Sequence, residues 1–503
     1  MYDKMKKLSQ LIKDVNVSGL RDCGIAQITN DSREVRPGAL FFALRGSRAD
    51  GGAFIKQAIE KGAAAVFSET EIPQEIINAY GKKSVLRHIP DIYRVLSSVS
   101  AEFYGNPSRS LRVFGITGTK GKTTSACILE KILEQAGLHP GLIGTLAYRA
   151  DGKIIEKSVN TTPFAHTLHR LFSEMTEAGC RSAVMEVSSH ALALSRAEDV
   201  SFDAAVFTNL QSDHMDFHKD RKSYFLAKAH LFELLAAKGK GPKAAVINAD
   251  DETAPELIKI IHSLGLNPVT YGIENKSDFR AEEIRLEEKF SSFTIQAREM
   301  SRPVKISLPG TYNVYNALSA IAAAVSGGIG IETAAHGAEM LLNVPGRLQR
   351  IEKGQDFNVF VDYAHTGGSL LNVLQNLCRL PHRKIITVFG CGGDRDRTKR
   401  GPMGCAACEN SDIVYITDDN PRYESREQIF ADIEDGIKGK FNNYEIIPGR
   451  DAAIHKAVFS AETGDIVLIA GKGHENYQLV QDKILHFSDA EEAEKALSER
   501  GWK

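Results

Sequence analysis

The segment Gly118–Thr124, Gly-Thr-Lys-Gly-Lys-Thr-Thr, has the residue types and spacing that bind nucleotide phosphates. Its glycines let backbone N–H groups turn toward an anion, Lys122 can reach the outer phosphates, and the hydroxyl of Thr123 suits Mg²⁺. The usual pattern has a further glycine five positions before Gly121, where this chain has Ile116. Taken alone, the segment leaves two interpretations open: a phosphate-binding loop, or a chance Gly-Lys-Thr in an ordinary loop.

Further metal-binding candidates follow two apolar stretches of the same region. Glu186 lies near the end of Ala183–Val187, and His214 lies in the polar run after Ala204–Phe207. Open parallel sheets bind ligands at the carboxyl ends of their strands, so Thr123, Glu186 and His214 are candidate Mg²⁺ ligands. Because magnesium prefers oxygen, the imidazole indicates a second metal position. The alternative for Glu186 is a solvated carboxylate at a strand end.

Lys228 has an unusual sequence environment. It lies in a predicted helix, Lys222–Leu235, with apolar residues on both sides. Because an ammonium is costly to bury, the pattern by itself favours a surface lysine whose stem packs on the protein and whose charge reaches solvent.

Four apolar stretches in the last third of the chain each end in a polar or charged loop. They are Val359–Asp362, Ile385–Phe389, Ile413–Ile416 and Ile466–Ile469. Helical patterns lie between them, which predicts a parallel α/β domain. Arginines and glycines in the loops would line a crevice suited to a zwitterionic ligand with carboxylates. Each loop singly has a purely structural alternative.

The remaining patterns predict how these loops are positioned. The strand Val113–Ile116 and the helix Ser125–Ala136 flank the glycine loop, and the strand Ala39–Leu44 belongs to a small α/β unit before it. We predict an α/β protein of three domains: a small α/β N-terminal domain (1–108), a central P-loop-type ATPase domain with a mainly parallel sheet (109–344) and a C-terminal Rossmann-like domain (345–503). A chain of 503 residues is long enough for several cores.

Composition excludes some function classes. The formal net charge is −2, with 43% hydrophobic and 25% charged residues, so no basic field favours nucleic acid or an anionic membrane. No apolar run approaches a membrane-spanning length, and we expect a cytoplasmic monomer. Cys405-Ala-Ala-Cys408 has the spacing of a redox or metal motif, but its helix-like, apolar surroundings favour a packing role.

In combination, these motifs resemble those of the Mur ligases, ATP-dependent enzymes that join amino acids to carboxylates. The resemblance covers nearly the whole chain. Its motifs are Asp31–Arg33, Ala49–Gly51, Gly118–Thr124, Asn160–Pro163, Met185–His190, Asp213–Asp216, Ala227–Phe232, Asp362–Thr366, Phe389–Asp396, Asp419–Arg422 and Gly471–Glu475. Among family members, the set most resembles those that add meso-diaminopimelate to UDP-N-acetylmuramoyl-L-alanyl-D-glutamate in peptidoglycan synthesis.

The resemblance implies roles for individual residues. Lys122, Glu186, His214 and Lys228 match catalytic positions, and Lys228 matches a lysine that CO₂ converts to a carbamate ligand of one of two Mg²⁺ ions, which replaces the surface-lysine interpretation. Positions that match ATP contacts are Gly118, Thr119, Lys120, Gly121, Lys122, Thr123, Thr124, Asn316, Arg347 and Asp362. Ser32, Ser47, Arg48 and Ala49 match contacts to the uridine-nucleotide end of the substrate, and the positions that match contacts to its sugar and peptide are Asn160, Thr161, Thr162, Ser188 and Arg196. Asp31–Arg33 has the composition of a simple turn as an alternative.

The incoming amino acid is expected to meet the loops of the last domain. The matching positions are Arg395, Asp419, Asn420, Pro421, Arg422, Gly471 and Glu475. Arg422 offers a planar fork for the distal carboxylate of diaminopimelate, which lysine lacks. The family also implies an acyl-phosphate intermediate, formed under a last domain that closes over ATP.

Three alternatives stay open at this stage. They are a lysine-adding homologue, another ligase of the same scaffold such as a folylpolyglutamate synthetase, and a nucleotide-binding regulator without catalysis. Three positions depart from the family pattern: Gly367-Gly368 stands in place of Pro-Asp, Leu348-Gln349 in place of Met-Glu, and Leu194 in place of a polar residue.

Overall fold

The computed structural model of the protein describes residues 5–13, 20–46, 50–211, 215–297 and 300–502. The chain divides into two compact units. One comprises Met1–Arg280 with Leu318–Gly337, and the other comprises Ala281–Ala317 with Ala338–Lys503. None of the helices in the described ranges has an apolar stretch long enough to span a lipid bilayer.

The first unit begins with a small parallel sheet. Its elements are β1 (Lys6–Lys7), α1 (Leu8–Leu11), β2 (Gly24–Ile25), β3 (Gln27–Thr29), β4 (Ala39–Ala43), α2 (Ile55–Glu60), β5 (Ala65–Ser68), α3 (Gln74–Tyr80), β6 (Val85–His88) and α4 (Ile92–Phe103), with 3₁₀ turns at Gly51–Phe54 and Pro107–Ser110. The sheet order is β3-β4-β5-β6, and β1 pairs with β2. Because side chains alternate along a strand, Leu40 and Phe42 enter one apolar core and Phe41 enters another.

A larger sheet follows in the same unit. Its elements are β7 (Arg112–Thr117), α5 (Lys122–Gln135), β8 (Pro140–Ile143), β9 (Tyr148–Ala150), β10 (Lys153–Glu156), α6 (Ala165–Glu177), β11 (Ser182–Glu186), α7 (Ser189–Ala193), β12 (Ala204–Phe207), α8 (Met215–His218), α9 (Arg221–Lys238), β13 (Ala244–Asn248), α10 (Ala254–Ser263), β14 (Pro268–Gly272) and the start of β15 (Phe279–Leu286). The strand order is β10-β9-β8-β11-β7-β12-β13-β14-β15. The strands from β8 to β15 in this order are parallel, and β9 and β10 are antiparallel additions at one edge.

The register of the central strands aligns their carboxyl ends. Glu186 of β11 pairs with Ile116 of β7, and Phe207 of β12 pairs with Thr117. The glycine loop after β7 therefore lies at the same sheet edge as Glu186 and the segment after Phe207. The predicted mainly parallel central sheet is confirmed.

The second unit contains a hairpin, a parallel sheet and flanking helices. The elements that follow β15 in the chain are β16 (Ser291–Ala297), β17 (Met300–Ile306), α11 (Thr311–Ser326), α12 (Ile331–Glu339), β18 (Gln349–Ile351), β19 (Asn358–Asp362), α13 (Gly367–Leu377), β20 (Ile385–Phe389), α14 (Arg400–Glu409), β21 (Ile413–Ile416), α15 (Arg426–Ile437), β22 (Tyr444–Ile446), α16 (Arg450–Ser460), β23 (Ile466–Ala470), β24 (Tyr477–Val480), β25 (Lys483–His486) and α17 (Asp489–Glu499), with a 3₁₀ turn at Arg397–Lys399. Helices α11 and α12 each have residues in both units.

The sheet of the second unit has the order β18-β19-β23-β20-β21-β22. Its strands are parallel except β18, which is antiparallel to β19. Phe360 and Leu468 enter one core, and Val359 and Val467 enter the core on the opposite face. Because both faces are covered, these strands read as continuous apolar runs. The four strands predicted in this region are all confirmed.

The two cysteines with redox-type spacing lie on α14. The Sγ of Cys405 contacts the carbonyl of Gly436 on α15 at 3.3 Å. Burial raises the pKa of the Cys408 thiol to about 11, which disfavours the reactive thiolate. Both observations support the packing interpretation.

Helices α14 and α15 cross at two glycines, and this contact generates a stability prediction. A Cβ on Gly436 would lie 2.5 Å from the Cα of Gly401, whereas a Cβ on Gly401 would lie 3.4 Å from the Cα of Gly436. Gly436→Ala should lower the free energy of unfolding by about 1–3 kcal/mol because the helix backbones must separate. Gly401→Ala should be neutral or gain up to about 1 kcal/mol of helix propensity.

Urea unfolding followed by tryptophan fluorescence measures this difference. The protein has one tryptophan, Trp502, and it packs against a core of the second unit. Equal midpoints for the two variants would contradict the crossing geometry.

Candidate active site

The glycine loop has the backbone of a phosphate-binding site. Helix α5 begins at Lys122, directly after Gly121, which has a φ of 87°. Gly118 has a φ of 147°, and a Cβ there would collide with the Oγ1 of Thr208. The first turn of α5 thus directs its backbone N–H groups and the positive end of its dipole toward the loop. The anion-binding interpretation is supported over a chance sequence match.

The segment after β12 fixes the shape of the loop. The amide N–H groups of Thr119 and Lys120 donate to the backbone oxygen and the Oδ1 of Asn209, at 2.9 and 3.0 Å. The Oγ1 of Thr208 donates to the carbonyl of Lys120 at 2.6 Å. Sequence reasoning gave neither Thr208 nor Asn209 a role, although their position directly after an apolar strand was a usable signal.

The ammonium of Lys122 lies against its own loop. It donates to the carbonyls of Gly118 and Thr119 at 2.8 and 2.9 Å. The ammonium of Lys122 therefore lies beside the backbone amides of the glycine loop, where it could neutralise the oxygens of a bound phosphate.

Two of the predicted metal ligands are adjacent. The side chain of Glu186 is buried, and its Oε2 accepts a hydrogen bond from the Oγ1 of Thr123 at 2.8 Å. Thr145 holds the same carboxylate through its N–H, 2.8 Å from Oε1, and its hydroxyl, 3.1 Å from Oε2. A hydroxyl and a carboxylate at hydrogen-bond distance form an oxygen donor set of the kind that Mg²⁺ takes. Sequence reasoning missed Thr145.

Residues expected to hold the nucleotide-linked peptide surround Glu186. The Oγ1 of Thr162 donates to the carbonyl of Glu186 at 2.8 Å, and the N–H of Ser188 donates to that Oγ1 at 3.0 Å. The guanidinium of Arg196 donates to the carbonyl of Thr162 at 2.9 Å, and burial lowers its pKa. These residues form one cluster with the candidate metal ligand.

Two neighbouring positions complete this region. The Oγ1 of Thr161 lies 3.0 Å from the Oγ1 of Thr145. The side chain of Asn160 is exposed. The backbone carbonyl of Asn160 accepts a hydrogen bond from the hydroxyl of Tyr148 at 2.6 Å. Leu194, where a polar residue is usual, is half-buried.

Lys228 is buried, with 1% of its surface exposed. Its Nζ lies 4.3 Å from the centre of the Tyr224 ring, and the hydroxyl of Tyr224 lies 3.1 Å from the Oγ1 of Thr119 in the glycine loop. The interpretation of Lys228 as a surface lysine is therefore wrong. Helix α9 buries Lys228 beside Tyr224 of the preceding turn.

Five predicted positions of the first unit remain. His214, Ser47, Arg48 and Ala49 lie outside the described residues. The Oγ of Ser32 donates to the Oε1 of Gln57 at 3.0 Å. The Oδ1 of Asp31 accepts from the amide of Arg33 at 2.8 Å, which is the turn that composition favoured.

The nucleotide-contact candidates Asn316, Arg347 and Asp362 belong to the second unit. The carboxylate of Asp362 accepts from the N–H groups of Leu348 and Ala364 at 2.7 and 2.8 Å. The guanidinium of Arg347 lies 5.2 Å from the centre of the Tyr363 ring. Burial raises the pKa of the Tyr363 hydroxyl to about 12. Asn316 is buried and donates to the Oδ1 of Asn313 at 3.1 Å.

Two departures from the family pattern have local explanations. The side-chain Oε1 of Gln349 accepts a hydrogen bond from the N–H of Gly346 at 3.0 Å, which closes a turn that contains Arg347. A Cβ on Gly367 would lie 2.9 Å from the Cβ of Pro402, so the start of α13 packs too closely for a larger residue.

The amino-acid candidates meet at the carboxyl ends of β20, β21 and β23. Asp419, Asn420 and Pro421 are buried, and the Nδ2 of Asn420 donates to the Oε2 of Glu475 at 2.9 Å. Gly471 has a φ of 118°, and a Cβ there would lie 2.9 Å from the Oδ2 of Asp419. Arg395 is exposed at the rim.

Arg422 has a left-handed backbone, with a φ of 55°. The hairpin β24–β25 holds this conformation, because the N–H of Arg422 donates to the carbonyl of Leu479 at 3.0 Å and its carbonyl accepts from Gln481 at 2.8 Å. Its Nη1 donates to the carbonyl of Gly393 at 2.8 Å. Within the described residues, no carboxylate pairs with this guanidinium and no hydrogen bond uses its Nε or Nη2.

A buried ion cluster connects the loop after β20 with the loop after β21. Arg400 is fully buried and pairs with Glu424 and Asp432 at 2.7 and 2.6 Å. The guanidinium of Arg400 lowers the pKa of Glu424 to about 2. The Oε2 of Glu424 also accepts from the N–H of Asp394 at 3.1 Å, so the ion pair joins the loop after β20 to the loop after β21.

Comparison with protein families gives three consecutive matches. Residues 24–104 match the Mur ligase family, catalytic domain; residues 116–324 match the Mur ligase middle domain; and residues 346–473 match the Mur ligase, glutamate ligase domain.

Similar proteins match the chain over nearly its full length. A UDP-N-acetylmuramoyl-L-alanyl-D-glutamate–2,6-diaminopimelate ligase of Bacillus licheniformis is 42% identical over 99% of both chains, and one of Clostridium acetobutylicum is 41% identical over 97% of this chain and 98% of its own. The solved structure of a ligase with the same name has a TM-score of 0.70 at 30% identity, covering 99% of this chain and 100% of the other.

A more distant structure shares the fold. The MurF ligase from Thermotoga maritima, in complex with ADP, has a TM-score of 0.64 at 20% identity over 94% of this chain and 98% of its own. With three family domains in order and relatives that are 41 and 42% identical over nearly the full length, the chain belongs to the Mur ligase family of ATP-dependent ligases.

Proposed function

We propose that this ligase joins meso-diaminopimelate to UDP-N-acetylmuramoyl-L-alanyl-D-glutamate, with cleavage of ATP to ADP and phosphate, as a step of peptidoglycan precursor synthesis. The relatives that match the full chain carry this activity in their names. Within the molecule, the observation that carries the amino-acid specificity is Arg422, a positioned guanidinium without a carboxylate partner among the described residues. The proposed division into substrate, ATP and amino-acid domains at 1–108, 109–344 and 345–503 accompanies this assignment.

The first step activates an acid. The side-chain carboxylate of the D-glutamyl residue attacks the γ-phosphorus of ATP, which gives an acyl phosphate and releases ADP. Thr162, Ser188 and Arg196 lie around Glu186 and would hold the peptide end of the nucleotide substrate beside the glycine loop. Lys122 and the amides of the loop would neutralise the charge that gathers on the transferred oxygens.

The candidate metal site supports this step. Thr123 and Glu186 would hold Mg²⁺, together with His214 and Lys228 as its carbamate. When bound, two Mg²⁺ ions would supply positive charge against the phosphate oxygens. The carbamate proposal is supported by the burial of Lys228, because a buried ammonium is costly whereas a carbamate is an oxygen ligand whose charge a cation can balance.

The second step forms the amide. The neutral amine of diaminopimelate attacks the acyl carbon, the carbon–oxygen bond to phosphate breaks, and inorganic phosphate leaves with the proton that the nitrogen loses. Arg422 would pair with the distal carboxylate, and Glu475 and Asp419 would accept hydrogen bonds from amino groups of the same amino acid.

The proposed specificity predicts a large preference between two amino acids. With ATP, Mg²⁺, bicarbonate and the uridine nucleotide dipeptide, the purified protein should release ADP and form product with meso-diaminopimelate. Because lysine would leave Arg422 desolvated and unpaired, kcat/KM for lysine should be roughly 30-fold or more below that for diaminopimelate, which corresponds to about 2–5 kcal/mol of transition-state stabilisation. A preference for lysine would identify the lysine-adding alternative, and ATP binding without product would identify the non-catalytic regulator.

A variant of Arg422 tests the same assignment from the protein side. Arg422→Leu should lower kcat/KM for diaminopimelate by about 30-fold or more and reduce the discrimination against lysine. Arg379→Leu is the matched control, because Arg379 is an exposed arginine of the same unit. Unchanged discrimination in Arg422→Leu would exclude Arg422 as the specificity residue.

The carbamate proposal predicts a covalent change that mass spectrometry detects. In bicarbonate buffer, the intact mass should include one CO₂, located at Lys228 and lost on acidification. Lys228→Ala should be nearly inactive and should lack the adduct. Lys222 is an exposed lysine of the same helix, so Lys222→Ala should keep the activity and the CO₂ adduct. Full activity in Lys228→Ala would contradict the proposal.

A further inference from the structure

Lys472 is a buried lysine to which neither sequence reasoning nor the proposed mechanism gives a role. It follows Gly471 at the carboxyl end of β23, and none of its surface is exposed. A buried ammonium is retained only when acceptors replace its hydration. The contacts of its Nζ therefore indicate what the charge does.

Three acceptors surround this ammonium, and they come from the loops of the candidate amino-acid site. Its Nζ donates to the Oδ1 of Asn420 at 3.2 Å, the Oε2 of Glu475 at 3.4 Å and the carbonyl of Tyr477 at 2.6 Å. It also lies 5.6 Å from the centre of the Tyr477 ring. One cation thus joins the loop after β21, the loop after β23 and the start of the hairpin β24–β25.

Both polar ends of the Asn420 side chain take part in this arrangement. Its Oδ1 accepts from Lys472 and, at 2.9 Å, from the N–H of Leu479, while its Nδ2 donates to the Oε2 of Glu475 at 2.9 Å. Because the ammonium only donates, it fixes which end of the amide faces Glu475. These contacts of Asn420 are to other protein groups, and the direct substrate contact that the family resemblance implied stays a prediction.

The same network orients the two side chains that would meet the substrate. Glu475 has its Oε2 held by Lys472 and Asn420, and no hydrogen bond from the described residues reaches its Oε1. Leu479, which donates to Asn420, accepts through its carbonyl from the N–H of Arg422. Lys472 is thus linked to one carboxylate and to one guanidinium of the site.

We infer that Lys472 is a positioning residue for amino-acid recognition: through Asn420 it sets the Oε1 of Glu475 to accept from a substrate ammonium and holds the hairpin that supports Arg422. This inference rests on the proposed function, because it assumes that the site takes a zwitterionic amino acid with a distal carboxylate. It adds a residue that acts through others and touches no substrate itself.

The substitution Lys472→Met removes the charge of the side chain while keeping an unbranched side chain of similar length. The KM for diaminopimelate should rise by about 10- to 100-fold, the loss expected when hydrogen bonds to a charged group are removed. The KM values for ATP and the uridine nucleotide should stay within about twofold of the parent, because their candidate contacts are other residues. Lys456→Met is the control, since Lys456 forms an exposed pair with Glu445 in the same unit and such pairs contribute little.

A double-mutant cycle separates positioning from general destabilisation. If Lys472 acts through Glu475, Lys472→Met combined with Glu475→Gln should be little worse for diaminopimelate than the poorer single variant. Additive losses, or a parallel rise in all three KM values, would overturn the inference. If Lys472→Met does not fold, Asn420→Ala tests the same link and should give the same selective rise.

The parent enzyme distinguishes the two levels of the proposal. Absence of product from the parent with diaminopimelate would overturn the proposed function itself. Product from the parent together with an unchanged KM in folded Lys472→Met would overturn only the role of Lys472.

Discussion

The parallel pairing of β7 between β11 and β12 is the constraint on which the candidate active site depends. This register puts the glycine loop, Glu186 and the segment after Phe207 at one edge of the sheet. Gly118 has no Cβ because Thr208 occupies the space beside it, and the hydrogen bond between Thr123 and Glu186 forms across that edge. A shift of one residue in this register would turn each side chain to the opposite face of the sheet and separate these groups.

In the second unit, parallel strand pairing also brings loops together at one sheet edge, but the groups in those loops differ. Loops after parallel strands again meet at one edge, but the groups they bring together are charged and bind an amino acid in the proposed function. Buried ion pairs connect these loops, as Arg400 does with Glu424. Because a buried charge is stable only with its partners in place, such pairs favour one loop conformation over many. Arg422 can then keep a left-handed backbone that an unsupported loop would avoid.

Two buried lysines illustrate how local sequence and tertiary structure divide the information. Lys228 lies among apolar residues in a helix, and Lys472 lies between two glycines in a loop. Helix periodicity left Lys228 with a surface interpretation, and the family resemblance alone indicated a buried, modified side chain. Nothing in the sequence around Lys472 indicated burial, because its acceptors are the side chain of Asn420 and the carbonyl of Tyr477, which fold against it from other elements.

The sequence by itself determined the α/β class, the strands that end in polar loops, the glycine loop and the family motifs. These follow from patterns of apolar residues and glycines over a few positions, which depend on local geometry. Only the tertiary structure decided that Thr145 holds Glu186, that Asn209 shapes the glycine loop, and that Asn420 is occupied by Lys472 and Glu475. Each of these contacts joins residues from different strands or loops, and their distance depends on strand order and register, which no short stretch of sequence encodes.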